Sequence, residues 1–175
     1  MGRNDIFLLK ADLLMNYVAA WIRELQNTQD EIEAKTQFGW TPKHKSFVVG
    51  AKEIFADHIK ENPPSFATAQ YFDFFDKKGT LEGWKEVAKF YKRPDFEVHQ
   101  YMFALAFGSP LMEFVPNIAG SIFHLTSSES GFGKTTGQWG GASVWGNHKK
   151  LVLKGKDTGN SVWNRAEIYK NIVLY

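Results

Sequence analysis

Hydrophobic positions near the start of the chain recur with the spacing of an amphipathic helix. Apolar side chains stand three, four and seven residues apart, and polar residues fill the positions between them. This pattern predicts a helix over residues 6–35 with a polar, exposed last part. Its apolar stripe could dock a partner, but packing on its own domain is the default expectation. The stripe consists of Phe7, Leu14, Val18, Trp21, Ile22 and Leu25.

The next part of the chain mixes strand and helix patterns. Gly39-Trp40-Thr41-Pro42 breaks the first helix, and the β-branched run after it is typical of a strand. Thr80 is a good N-cap for a helix whose apolar positions fall on one face. In order, we predict strands at 47–50 and 53–56, an aromatic irregular segment at 60–79, helices at 80–92 and 95–107, and a short helix at 110–114.

The last third alternates between apolar runs and helical patterns. Such alternation predicts a parallel sheet with crossover helices. The sequence therefore predicts an α/β fold that begins the sheet of a P-loop NTPase, preceded by a small mixed α/β unit. We place the boundary between the units 1–93 and 94–175. The predicted elements are strands at 122–125, 151–153 and 171–175 and helices at 136–144 and 160–168.

Composition narrows the class of protein. Of 175 residues, 43% are hydrophobic and 15% aromatic, which indicates a globular chain. The absence of cysteine excludes disulfides and thiolate zinc sites, and a net charge of +2 does not by itself indicate nucleic-acid binding. No apolar run is long enough for a membrane span, and Asp5 and Asp12 are unlike a signal peptide. We expect a cytoplasmic protein (in the host cell if the chain is viral) with no membrane partner.

The main chemical motif is S-E-S-G-F-G-K-T at Ser128–Thr135. A strand, a small-residue loop and a helix in that order are the context of a phosphate-binding P-loop. Backbone N–H groups at the helix start would face the phosphates, Lys134 would lie between the β- and γ-phosphates, and the Thr135 hydroxyl would bind Mg²⁺. We predict ATP and Mg²⁺ as cofactors, Lys134 as the catalytic group and Thr135 as the metal ligand. The predicted nucleotide-binding residues are Ser128, Ser130, Gly131, Phe132, Gly133, Lys134, Thr135 and Thr136.

The motif departs from the full pattern at one position. Ser128 stands where G-x-x-x-x-G-K-[ST] has its first glycine, although Gly131 could absorb part of the turn. The competing interpretation is a Ser/Gly turn whose lysine is only a solvated residue at a helix start.

Other candidate residues carry weaker signals. The basic cluster His148, Lys149, Lys150, Lys154 and Lys156 could touch DNA phosphates, but a solvated loop is favoured. The aromatic residues at 71–75 could stack on bases, but a core role is favoured. His124, within a predicted strand, is expected to be a core histidine. The histidines show no metal-ligand spacing, and no G-x-S-x-G nucleophile motif is present.

Several strings together resemble a known family. Phe103–Met112, Gly120–Leu125, Gly133–Thr136 and above all Ala142–Gly146 (A-S-V-W-G) follow one another at short spacing. They resemble helicase-like ATPases of phage and prophage replication modules, a family long catalogued as a domain of unknown function. That family looks related to ring-forming superfamily-3-type helicases, which often follow a primase domain. The resemblance covers most of the chain and extends upstream to Gly39-Trp40, Phe47–Gly50 and Gly79–Trp84.

The resemblance implies a function. It implies ATP and Mg²⁺ binding by loop 128–136, with Lys134 and Thr135 carried over directly. In the intact protein it implies ATP-driven translocation on single-stranded DNA by a homo-oligomer. Asp157–Asn160 and Glu167 also resemble a family segment, without an assignable chemistry.

The resemblance also indicates where an acidic residue is expected. The family places its magnesium-holding acid after a strand about 40 residues beyond the lysine. That strand is 171–175 here, so we expect the acid past Tyr175 and a chain that is the front part of an ATPase. Such a part would bind nucleotide and hydrolyse ATP poorly by itself. Asp157 is a weak substitute because Lys154-Gly155-Lys156 separates it from the apolar run.

Two other functional classes remain open. One is a non-catalytic module that binds nucleotide or a partner chain and regulates or scaffolds replication. The other is a small P-loop kinase, which is disfavoured because no acidic residue suited to act as substrate base follows the loop.

Overall fold

The chain separates into two compact units, Met1–Glu33 and Ala34–Tyr175. The structure, a computed structural model, describes residues 11–28, 33–126 and 128–175. The first unit contains helix α1, Ala11–Thr28, which confirms the predicted helix over that range. None of its residues is buried, and Leu14 and Trp21 of the predicted stripe are more than half exposed. The predicted helix also included residues 33–35, which are not helical, so that part of the prediction is wrong. Its remaining parts, 6–10 and 29–32, lie outside the described residues.

A small antiparallel sheet opens the second unit. Its four strands follow chain order: β1 Gly39–Trp40, β2 Phe47–Val49, β3 Lys52–Ile54 and β4 Ile59–Glu61. Val48 pairs with Gly39 on one side and with Glu53 on the other. The predicted strand at 47–50 is confirmed, and its neighbour begins slightly earlier than predicted. The sequence pattern did not identify β1 and β4, because so short a strand carries little periodicity.

The predicted helices after the sheet are confirmed. The Thr80 hydroxyl accepts a hydrogen bond from the Gly83 N–H at 3.1 Å and caps the first of them, as expected. A 3₁₀ helix within the aromatic segment precedes this cap. The elements are 3₁₀ helix Ala69–Phe74, α2 Leu81–Phe90, α3 Glu97–Gly108 and 3₁₀ helix Ser109–Phe114.

The last third is helical where a parallel sheet was predicted. Its helices are α4 Lys134–Ala142, α5 His148–Leu151 and α6 Gly159–Tyr169. The predicted strand at 151–153 is wrong, since α5 ends at Leu151. Residues 122–125 and 171–175 also lie outside every strand of the described chain. Short apolar runs do not distinguish strand from buried helix, and α5 buries its leucine with one helical turn.

One core joins the sheet to the C-terminal helices. Phe38 contacts the Tyr169 ring edge-on at 6.1 Å between centroids, and both side chains are almost fully buried. The aromatic segment 71–75 packs against this core, which confirms the core role expected for it. Both predicted units, 1–93 and 94–175, contribute residues, and their separate folding stays a prediction. The buried cluster is Phe38, Val48, Tyr71, Ala142, Leu151, Ile168, Tyr169 and Ile172.

Among the helices that the structure describes, none has the length and apolarity needed to cross a membrane.

Candidate functional site

The loop before α4 turns on two glycines. Gly131 has φ 89° and Gly133 has φ 76°, a left-handed conformation that favours glycine. Gly133 is the N-cap of α4, and no side chain caps it. The first bond inside the helix runs from the Gly137 N–H to the Gly133 carbonyl at 2.8 Å. The N–H groups of residues 134–136 therefore have no partner within the helix and are available at its N-terminus.

Lys134 bridges the loop. Its Nζ donates a hydrogen bond to the Glu129 carbonyl oxygen at 3.2 Å, so its aliphatic stem spans the loop. The residue is half-buried. The loop therefore carries a positive charge on the first residue of α4, where the helix leaves N–H donors without an intrahelical partner.

Most of the other predicted binding residues are accessible. Thr135 and Thr136, in the first turn of α4, are exposed. Phe132, between the two glycines, is 63% exposed. Ser128 and Ser130 are exposed as well, so all the predicted residues lie along one loop and one helical turn.

The glycines inside α4 bring it close to α3. A Cβ on Gly140 would lie 3.0 Å from a ring carbon of Phe103, and one on Gly141 would lie 2.8 Å from the Met102 carbonyl. These small residues serve close helix–helix packing, because α3 lies against this face of α4.

The A-S-V-W-G string at 142–146 connects the end of α4 to α2 and α3 by hydrogen bonds. The indole N–H of Trp84, on α2, donates to the Ser143 hydroxyl at 2.9 Å. The indole N–H of Trp145 donates to the Ala106 carbonyl on α3 at 3.2 Å. The string that carries the resemblance most specifically therefore holds α2, α3 and α4 together, so its role here is structural.

His99, on α3, contacts the start of α4. Its Nε2 lies 3.2 Å from the Gly133 carbonyl oxygen, which can only accept, so Nε2 carries the proton. Its ring stacks on Tyr91 at 5.6 Å and contacts Phe96 at 5.2 Å. Nδ1 is buried, with no hydrogen-bond partner among the described residues. Sequence reasoning missed His99, because a lone histidine inside an amphipathic helix carries no motif.

Two hollows flank Phe132 and Gly133. The first has a volume of about 320 Å³ and contains the charged residues Lys134 and Asp95. Its other lining residues are Val98, His99, Met102, Leu125, Thr126, Ser128, Phe132, Gly133 and Gly137.

The second hollow has a volume of about 340 Å³ and is mainly aromatic. It shares Asp95, His99, Phe132 and Gly133 with the first hollow. Its remaining lining residues are Phe90, Tyr91, Phe96, Gly131 and Thr136. The sequence offered no signal for these aromatic residues, because they reach the loop only through the packing of α3 on α4.

Charge is unevenly distributed around the hollows. Asp95 lines both of them, with a left-handed backbone at φ 71° that aspartate tolerates better than most residues. Burial raises the pKa of the Tyr91 hydroxyl, which therefore stays neutral at physiological pH. Lys134 is the single positive group lining these hollows.

The other predicted metal and core residues are placed as follows. The Thr135 hydroxyl is exposed at the loop, where it fits a Mg²⁺ ion held chiefly by phosphates and water. Across residues 11–28, 33–126 and 128–175, no cluster of three His, Cys, Asp or Glu side chains could hold a metal by itself. The expectation for His124 was wrong: it is exposed, because its segment joins no sheet here.

Two residues of the predicted basic cluster, Lys150 and His148, have surroundings that the structure defines. Lys150 pairs with Asp73. Burial and the nearby Lys149 and Lys78 charges lower the pKa of His148, so this residue adds little positive charge at neutral pH.

The segment 157–160 shapes the entry to α6. Asp157 accepts the Lys154 N–H at 2.9 Å and closes a turn. Thr158 caps α6 by accepting a hydrogen bond from the Ser161 N–H at 3.3 Å, so the helix begins slightly before the predicted 160. Asp157 and Thr158 thus have structural roles, and the Asp157 carboxylate already serves its own turn.

Comparison with known proteins places the chain in a family. The match is to the domain of unknown function DUF927 and covers residues 6–175. Because it spans nearly the whole chain, the protein belongs to this family. No curated protein and no solved structure matches it.

Proposed function

We propose that this member of the DUF927 family binds ATP with Mg²⁺ at loop 128–136. The observation that carries the proposal is the start of α4. Gly133 begins the helix without a side-chain cap, which leaves N–H donors for an anion. Lys134 adds a positive charge over the same loop, as a phosphate cradle needs.

Each residue then has a defined task. The N–H groups of residues 134–136 donate to phosphate oxygens and fix the phosphate chain at the helix start. Lys134 gives up its bond to the Glu129 carbonyl and moves its ammonium to the β- and γ-phosphates. The Thr135 hydroxyl would contribute one oxygen to the shell of a bound Mg²⁺ ion, which would supply positive charge to the phosphates.

A parallel P-loop sheet is the finer fold that we propose. Ile122 and Phe123, in the apolar run predicted to precede the loop, are 94% and 54% exposed, so this run has apolar side chains available to a neighbouring element. The Leu153 N–H, two residues past the end of α5, donates to the Tyr175 carbonyl at 2.6 Å. This backbone contact between two separate segments is what supports the proposed sheet.

The larger role that we propose is the ATP-binding part of a phage-type replication helicase. It rests on the resemblance of the 103–146 strings and on the phosphate cradle. The intact protein would translocate on single-stranded DNA as a homo-oligomer. The alternative, a non-catalytic regulator or scaffold, shares the same cradle.

Nucleotide binding is tested by isothermal titration calorimetry with ATP and Mg²⁺. Lys134→Ala removes the phosphate contact, whereas Lys154→Ala removes an equal charge from an exposed site elsewhere. We expect wild type and Lys154→Ala to bind alike and Lys134→Ala to bind at least about tenfold more weakly. Equal binding by all three proteins, or by none, would overturn the proposal.

Separate assays distinguish the helicase from the regulator. ATP turnover and single-stranded DNA binding are measured for the wild-type chain and for Lys134→Ala. A helicase part shows DNA binding that depends on ATP and on Lys134. Nucleotide binding with no DNA binding under any nucleotide condition favours the non-catalytic module.

A further inference from the structure

We infer that the aromatic second hollow, between α2, α3 and the loop, binds the base of the nucleotide. This inference rests on the proposed function, which places the phosphates of ATP at loop 128–136, and gives a site to the base of the same ATP molecule. Phe132 and Phe96 provide the stacking faces, in a hollow of about 340 Å³. That volume lies within the usual range of small-molecule sites, about 300–1,000 Å³.

The direction of the phosphate chain decides which hollow receives the base. Lys134 and Ser128 line the first hollow, and the lysine of a P-loop contacts the terminal phosphates. Thr136, two residues further along α4, lines the second hollow. The terminal phosphate of the nucleotide therefore lies toward the first hollow, and the nucleoside lies on the Thr136 side, toward the second hollow.

The second hollow has the surface that a base requires. The Phe96 ring contacts Phe90 at 5.1 Å, edge to face, and Tyr91 at 6.1 Å. Edge-to-face contacts of this kind fix ring orientations and keep the lining rigid. Flat aromatic faces bind bases by stacking with little regard to base identity.

Phe132 has the position that a contact with the base requires. Its side chain is 63% exposed between two left-handed glycines, so a ligand can reach its ring. It lines both hollows, which places its ring where phosphate chain and base meet. A base that enters the second hollow covers this ring.

The test compares ATP with inorganic triphosphate, which has phosphates but no base. Calorimetry measures both ligands with Mg²⁺ on the wild-type chain, Phe132→Ala and Phe132→Tyr. Phe107→Ala is the matched control, because Phe107 lies on α3, is 57% exposed and lines neither hollow.

We expect wild type to prefer ATP over triphosphate by about tenfold or more, the amount that one stacked base provides. Phe132→Ala should lose most of that preference, because its affinity for ATP should fall much further than its affinity for triphosphate. Phe132→Tyr should keep the preference, and Phe107→Ala should behave as wild type.

Failures of the two proposals are distinguishable. If triphosphate binds but ATP binds no better, or if Phe132→Ala keeps the full preference, the base site is wrong and the phosphate site stands. If neither ligand binds, both proposals are overturned.

Discussion

The Nε2 atom of His99 donates to the carbonyl oxygen of Gly133 at 3.2 Å. Gly133 is the residue that begins α4, and the same carbonyl accepts the first bond inside that helix. The contact therefore ties α3 to the start of α4, where we propose that phosphates bind. A residue placed this way can position the loop without contacting the proposed phosphate site.

Replacing His99 with phenylalanine should separate positioning from stability. Phe keeps the ring contacts with Tyr91 and Phe96 but removes the donor to Gly133. It also removes Nδ1, which is buried without a hydrogen-bond partner among the described residues. Losing the bond to Gly133 costs about 1 kcal/mol of stability, and removing the unpaired buried nitrogen returns about 1 kcal/mol, so the two effects largely cancel. We expect nearly unchanged urea unfolding and several-fold weaker ATP binding. Gln at this position, which keeps an N–H donor, should recover part of the affinity; wild-type affinity in His99→Phe would refute the positioning role.

The two loop glycines form a matched pair. A Cβ on Gly131 meets nothing within 4 Å. The free energy of unfolding of Gly131→Ala should therefore fall only by the cost of placing alanine in a left-handed conformation, about 1–2 kcal/mol. A Cβ on Gly133 lies 2.7 Å from His99 Nε2, so Gly133→Ala should lose more in urea unfolding. When His99 is already alanine, adding Gly133→Ala should lower the unfolding free energy by no more than Gly131→Ala does, because the atom that the new Cβ would meet is gone. Equal costs at both glycines would show that the steric contact is unimportant.

Asp95 should oppose phosphate binding. Its carboxylate lines the same hollow as Lys134, so it repels a polyphosphate. Asp95→Asn keeps a residue that tolerates φ 71° and removes the charge. Triphosphate affinity should rise about two- to fivefold at low salt, and the gain should shrink at high salt. Calorimetry at two salt concentrations checks both parts, and a loss of affinity would indicate that Asp95 assists the ligand or its metal.

Glu113 should make folding stability depend on acid pH. The Asn171 side chain donates to Glu113 Oε2 at 2.9 Å, and His44 contacts Oε1 at 3.2 Å. These contacts hold the pKa of the carboxyl below its usual value of 4.5 in the folded state. The stabilisation is therefore complete well above 4.5 and is lost as pH falls through the lower folded pKa.

Glu113→Gln provides the matched comparison. The variant cannot titrate at this position, so its unfolding free energy should fall less steeply than that of wild type below pH 4.5. Urea midpoints across acid pH measure the difference. Parallel curves for the two proteins would show that Glu113 has the same pKa folded and unfolded.

Local signals predicted most of the helices and two strands of the antiparallel sheet, but not α5. Thr80 caps α2 because its hydroxyl reaches an N–H three residues away, a contact that sequence spacing alone defines. The run 151–153 was assigned as a strand because three apolar residues fit either structure. Packing of Leu151 into the core with Tyr71 and Tyr169 decided for the helix.

The sequence by itself determined the loop. Its glycines, its lysine and its hydroxyl groups lie within nine consecutive residues, so the covalent chain alone keeps them close together. Only the tertiary structure decided what surrounds that loop. His99, Asp95 and Phe96 reach it because the glycines of α4 let α3 approach closely, and side chains brought together by such packing leave no pattern in the local sequence. The proposed phosphate site is thus a local property of the chain, whereas the pocket proposed for the base is a property of the fold.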